Sequence, residues 1–146
     1  MTRRVLHPSD FSRASRAAFL KAIEMAKSNR AELLVVHVLS PIVPVPGDAY
    51  ISPRMYDELA GSARAFARKQ LDKLLAQTKK ARVRARGFLL EGAPHEEIVR
   101  FARARRVDLI VMGTHGRSGL AKLFVGSVAD RVVAAAPCPV LTVRGK

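Results

Sequence analysis

"VDLIVMGTHGRSGLAKLFVGS", residues 107 to 127, carries an unbroken apolar run, Leu109–Met112, and then turns abruptly to glycine, with glycines at 113, 116, 119 and 126. An apolar run without polar alternation reads as a strand buried on both faces. The apolar stretch that follows, "SVADRVVAAA", reads as a helix, so the segment is a strand, a glycine-rich connection and a helix. Gly126 and Ser127 are expected to stand directly before that helix, with Ser127 as its N-cap. Glycine permits positive φ and close backbone approach, so successive N–H groups in the connection can line an anion pocket. A helix N-terminus favours phosphate for a related reason. The plainer reading is a glycine-rich linkage with a capped helix after it. The segment is neither a P-loop, since no G-x-x-x-x-G-K-[ST] occurs, nor a G-x-G-x-x-G dinucleotide fingerprint.

The same alternation extends in both directions. Upstream, "EGAPHEEIVRFARARR" opens on Pro94 and two acids and closes on arginines, a polarised helix. "VRARGFLL" before it reads as a strand. A helix is expected from Ser52, with Pro53 in its first turn; Met55, Leu59, Phe66, Gln70, Leu74 and Thr78 track one side of it, which is taken as its buried stripe. "SPIVPVPGDAY" has three prolines and a glycine and reads as a loop. "AELLVVHVLS" is a second strand buried on both faces. Asp10 and Ser12 are N-cap types before a helical recurrence of Phe11, Ser15, Ala18, Ala22 and Ala26. Val5–His7 opens the chain as a short strand, and "PCPVLTV" closes it as another. The order β-α-β-α-β-α-β-α-β requires crossovers and a parallel sheet covered on both faces. No linker, repeat or low-complexity tract divides residues 1–146, so one domain is expected.

Composition agrees. A chain of 146 residues can bury roughly 68–70% of the surface its unfolded form exposes, and 49% of this one is hydrophobic. No apolar run approaches the ~20 residues of a membrane helix. "MTRRVLHPSD" has no apolar segment behind its arginines, so no signal peptide is expected. The single cysteine, Cys138, forms no internal disulfide and reads as a small apolar residue. A soluble cytosolic protein is the expectation. The 26 Lys and Arg against 12 Asp and Glu give a net charge of +14, which attracts polyanions. Many of the cations fall late in helices, where they suit the dipole. Only 5% of residues are aromatic and no nucleic-acid reading motif is present, which counts against nucleic acid as a partner. His7 and His37 read as core or sheet-edge residues, and Phe66 and Phe101 as core. His115, in the glycine loop, could meet phosphate. No His, Cys, Asp or Glu set has metal-ligand spacing. No base stands beside a serine in sequence, so binding ranks above catalysis; a slow hydrolase of the bound polyphosphate, using His115, Arg117 and Lys122, is the second reading.

The chain resembles the universal stress protein family across essentially its whole length. The family's nucleotide signature, G-x2-G-x9-G-[ST], reads here Gly113, Gly116, Gly126, Ser127. "VLHPSDFS", "LLVVHV" and "PCPVLTVR" match the family's first, second and last strands. The resemblance implies a three-layer α/β/α fold like that of the adenine nucleotide alpha hydrolases, with a five-stranded parallel sheet of order 3-2-1-4-5. It implies ATP at the carboxyl edge between the first and fourth strands, bordered by Pro8 and Asp10, with Val38 pairing its backbone with adenine and Met112 packed nearby. Gly113, Gly116, Arg117, Gly126, Ser127 and Val128 would surround the phosphates. Any Mg²⁺ or Mn²⁺ would be held through the phosphates. A homodimer and a nucleotide-sensing role in stress response toward an unknown protein partner also follow from it. The last strand, Val140–Val143, would be a sheet edge that pairing across a two-fold axis covers, and the loop at 41–46, which follows the second strand and so borders the adenine side, is expected to be ordered by nucleotide.

Overall fold

The computed structural model describes residues 1–41, 51–114 and 122–145, and of 122–126 the backbone alone. Among these residues five strands alternate with four helices: β1 (Arg4–Pro8), α1 (Arg13–Asn29), β2 (Glu32–Leu39), α2 (Pro53–Lys80), β3 (Ala85–Glu91), α3 (Pro94–Ala104), β4 (Leu109–Gly113), α4 (Lys122–Ala135) and β5 (Val140–Val143). All pairings are parallel and the sheet order is β3-β2-β1-β4-β5. Chain order therefore reverses between β1 and β4, which leaves a crevice at their carboxyl ends.

The unalternated strands serve two cores. Val5, Leu33, Val35 and Val111 face α1 and α2, packing on Ala18, Phe19, Ala22 and Leu71. Leu6, Leu34, Val36, Ile110 and Met112 face α3 and α4, packing on Ile98, Phe101, Ala102, Ala129 and Val132. Each such buried aliphatic side chain contributes about 1.5–3 kcal/mol of transfer free energy. Ser12 caps α1, accepting from Ser15 N, and Ser52 caps α2, accepting from Met55 N, with proline in its first turn. At Gly87 of β3 a Cβ would stand 2.9 Å from Leu75 Cδ1, so glycine lets α2 approach the sheet.

Three helices end in one way. Arg30, Arg82 and Arg106 take φ of 53°, 60° and 52°. The next amide in each case reaches back into the helix: Ala31 N to Ala26 O, Val83 N to Thr78 O, Val107 N to Ala102 O, at 2.8 to 3.0 Å. These are Schellman endings with arginine in the place glycine usually takes, closed by burial of Ala31, Val83 and Val107.

Two expectations are corrected. The stripe expected to be buried on α2 is exposed over its first half: Met55 is 49%, Leu59 48% and Phe66 61% exposed, and the buried side is Ala67, Leu71 and Thr78. The reason is length. A helix of 28 residues extends about 42 Å, whereas the 8-residue β2 spans about 26 Å, so the first turns, with Met55 and Leu59, overhang the sheet, while Phe66, next to the buried Ala67, lies on the exposed flank of the helix. Phe101, by contrast, is in the core at 8% exposure. The second correction concerns α4, which starts at Lys122, placing Gly126 and Ser127 inside the helix rather than at its cap. A helix-interior glycine costs only about 1 kcal/mol, and packing of Ala129 and Val132 on the sheet holds the helix in place past it.

Candidate functional site

At the crevice between β1 and β4 lies a cavity of about 310 Å³. One wall is β2, through Val36, His37 and Val38; the opposite wall is the end of β4, Met112 and Gly113, with Val128 of α4. The floor is the β1–α1 turn, Pro8, Ser9 and Asp10, with Ser15, and the first turns of α3 close it through Pro94 and Ile98. Its surface is largely apolar with a few polar groups, as small-molecule sites are.

The turn is tied by its own side chains. Ser9 N donates to Val36 O at 2.8 Å. Asp10 Oδ1 accepts from Ser12 N at 2.9 Å and from Ser15 Oγ at 2.7 Å, while Ser15 Oγ accepts from Asp10 N at 3.1 Å. Phe11 sits at φ 64°, a left-handed conformation that a non-glycine residue adopts at a cost, and its N–H donates to Ser9 Oγ at 3.1 Å. His37 Nδ1 donates to Ser9 O at 2.7 Å and its ring stacks on Phe11. His37 thus joins β2 to the turn in the cavity wall.

Backbone direction places Val38. In a parallel ladder a residue's N–H and C=O point to the same neighbour, alternating along the strand. Glu32 N donates to Arg3 O, Val36 O accepts from Ser9 N, and Leu39 O accepts from Gly92 N on the β3 side. Even-numbered residues of β2 therefore face β1, whose register with β2 ends at Pro8 opposite Val36. The N–H and C=O of Val38 point into the space beyond that last rung, on the cavity side.

Gly113 has a packing role: a Cβ there would lie 3.0 Å from Ala14 O, so a side chain would push β4 and the first turn of α1 apart by a few tenths of an ångström. His7, on β1, is fully buried, with Nδ1 donating to Val111 O at 2.9 Å. Burial lowers its pKa to about 4, against the smaller upward pulls of that hydrogen bond and of Asp10. It is a core histidine. Burial raises the pKa of the Cys138 thiol, with the charge of Asp108 adding to the effect, so the thiol stays protonated.

Of the residues singled out from sequence, Pro8, Asp10, Val38, Met112, Gly113 and Val128 line this one cavity. Ser127, beside Val128, lies with Gly126 within α4. Gly116 and Arg117 lie outside the described residues, as do His115 and the loop at 42–50. Sequence reasoning missed His37, Ser15 and Ile98. The signal for His37 was positional, since it stands one residue beyond the point where β1 ends. Among the described residues no three His, Cys, Asp or Glu side chains gather into a metal site, and no helix is long and apolar enough to cross a membrane.

Comparison with known proteins agrees with this geometry. The model of the Universal stress protein family matches residues 1–144. Universal stress protein MJ0531 of Methanocaldococcus jannaschii is 38% identical over 144 residues, covering 97% of this chain and 82% of that protein. Universal stress protein MJ0577 of the same organism is 28% identical over the whole of this chain and 97% of its own length. The solved structure of MJ0577 superposes with a TM-score of 0.82 at 25% identity, covering 100% of this chain and 98% of that one. A universal stress protein solved in complex with cAMP superposes at 0.72, also at 25% identity and 99% coverage of both chains. This chain belongs to the universal stress protein family.

Proposed function

We propose that the chain binds ATP in the cavity between β1 and β4 and works as a nucleotide-sensing regulatory module of the stress response. The observation that carries this reading is the convergence of Pro8, Asp10, Val38, Met112, Gly113 and Val128 on one cavity of about 310 Å³. The N–H and C=O of Val38 form a donor and acceptor pair that complements the edge of adenine. Asp10, fixed by Ser12 and Ser15, stands where a ribose hydroxyl would donate. The similar protein that was solved with cAMP makes an adenine nucleotide the natural class of ligand.

Gly113, Gly116, Arg117 and the start of α4 would hold the phosphates. The leading amides of a helix have no partner within it and favour anions, and here they belong to the residues from Lys122 onward. For Gly126 and Ser127 to offer their own amides, α4 must begin later in the nucleotide complex. Mg²⁺ or Mn²⁺ arrives with the triphosphate, held by phosphate oxygens and water. The working form is a cytoplasmic homodimer joined through Val140–Val143, where β5 ends the sheet and pairing across a two-fold axis would cover its edge.

Calorimetric titration of ATP tests the site. Val128→Trp fills the cavity from α4 and is expected to weaken ATP by more than about tenfold with the circular dichroism spectrum unchanged. Equal affinity in the variant would move the site elsewhere.

A further inference from the structure

On the other side of the β1–α1 turn lies a second cavity of about 300 Å³, set between the first turns of α1 and the later turns of α2. From α2 it takes Gln70, Lys73, Leu74 and Gln77, whose i, i+3, i+4, i+7 spacing is one helical face. From α1 it takes Arg13, Arg16 and Phe19. Its floor is apolar, formed by Phe19, Leu74 and Phe11, and none of the residues lining it is a carboxylate.

Three of the residues lining the cavity are cations, Arg13, Arg16 and Lys73. Arg54, Arg64 and Arg68 of α2 each have an acidic partner, in Glu58, Glu91 and Asp72. Arg13, Arg16 and Lys73 have none among the described residues. Arg13 and Arg16 stand in the first turn of α1, which carries no acid and where the helix dipole disfavours positive charge. Three cations with no ion-pair partner among the described residues line one apolar-floored cavity, a local electrostatic mismatch of the kind functional sites carry. Two guanidinium groups and an ammonium match a doubly charged phosphate, which guanidinium grips with paired N–H donors. Gln70 and Gln77 add neutral donors at the rim.

We propose that this second cavity binds a small organic phosphomonoester, with the phosphate held by Arg13, Arg16 and Lys73 and the organic group resting on Phe11, Phe19 and Leu74. The site is separate from the nucleotide cavity and does not depend on the nucleotide reading. The two share Ser9 and Ser15 in their linings, so each bears on the same turn from an opposite side.

Phenyl phosphate and inorganic phosphate, titrated at constant ionic strength into the isotope-labelled full chain and followed by amide shifts, test the assignment. Saturable shifts at residues 12–16 and 70–77 are expected, with phenyl phosphate the tighter of the two. Arg16→Gln and Lys73→Gln should each weaken it about tenfold, the loss of one charge-assisted hydrogen bond. Arg100→Gln, a cation on α3 paired with Glu97, should leave it unchanged. Shifts confined to residues 36–38 and 112–113 would assign the probe to the nucleotide cavity and overturn the proposal. Non-saturable shifts, or equal weakening by all three substitutions, would reduce it to the net charge of the chain and overturn it as well.

Discussion

The rings of Phe11 and His37 stack with centroids 4.3 Å apart and planes 25° from parallel, joining the turn after β1 to the strand beside it. The stack holds a phenylalanine in the left-handed region and holds the His37 ring beside the cavity. Aromatic pairs contribute about 0.5–1.5 kcal/mol beyond area burial. Phe11→Ala is expected to lower stability by about 1 kcal/mol and to weaken ATP, because it loosens the turn that carries Ser9 and Asp10. Urea denaturation and an ATP titration check it; unchanged values for both would show that the stack holds nothing.

His7 makes stability depend on pH. Its pKa is about 4 when folded, against 6.5 when unfolded, so between those values the unfolded chain takes up a proton that the folded chain refuses. Its contribution is complete above about pH 6.5 and is lost as pH falls toward 4, by about 3 kcal/mol in all. The carboxylates titrate in the same range, so the difference between the wild type and His7→Leu isolates the effect. The variant's stability should fall less steeply between pH 6.5 and 4. Parallel curves would mean that His7 gains its proton without cost.

The three helix ends at Arg30, Arg82 and Arg106 hold an L-residue at positive φ. Replacing each by glycine removes that strain and adds some entropy to the unfolded chain, with a net gain of about 0.5–1 kcal/mol per site. Thermal unfolding of the single and triple variants measures it. A lowered melting temperature would show that the arginine side chains contribute more than the backbone strain costs.

Exposure separates two positions on α2, Phe66 at 61% and Leu71 at 0%. Phe66→Ser should change stability by less than about 0.5 kcal/mol, while Leu71→Ala, fully buried, should cost about 2–5 kcal/mol. A large loss at Phe66 would place it in a packed environment and contradict the exposed face.

Much of this fold is legible in the residues. Leu33–Val36 lack alternation because odd and even positions enter different cores, and Ser52 with Pro53 marks a helix start that the structure reproduces. Strand order is not written in periodicity; it came with the family signature and matches the observed sheet. Helical spacing also carries no information on where the sheet beneath a helix stops, so Met55 and Leu59 read as core although they lie past it. Gly126 has the chemistry of a helix stop, but the helix runs through it. His37 is flanked by valines and reads as a core residue, because only in three dimensions does β1 end beside it.

The central claim is that the backbone of Val38, beyond the last rung of β1, recognises adenine. Titrating ATP into the isotope-labelled chain measures it directly. The account predicts saturable shifts of the Val38 amide together with those of Gly113 and Val128. ATP binding that leaves the Val38 amide unmoved, or no binding at all, would contradict it.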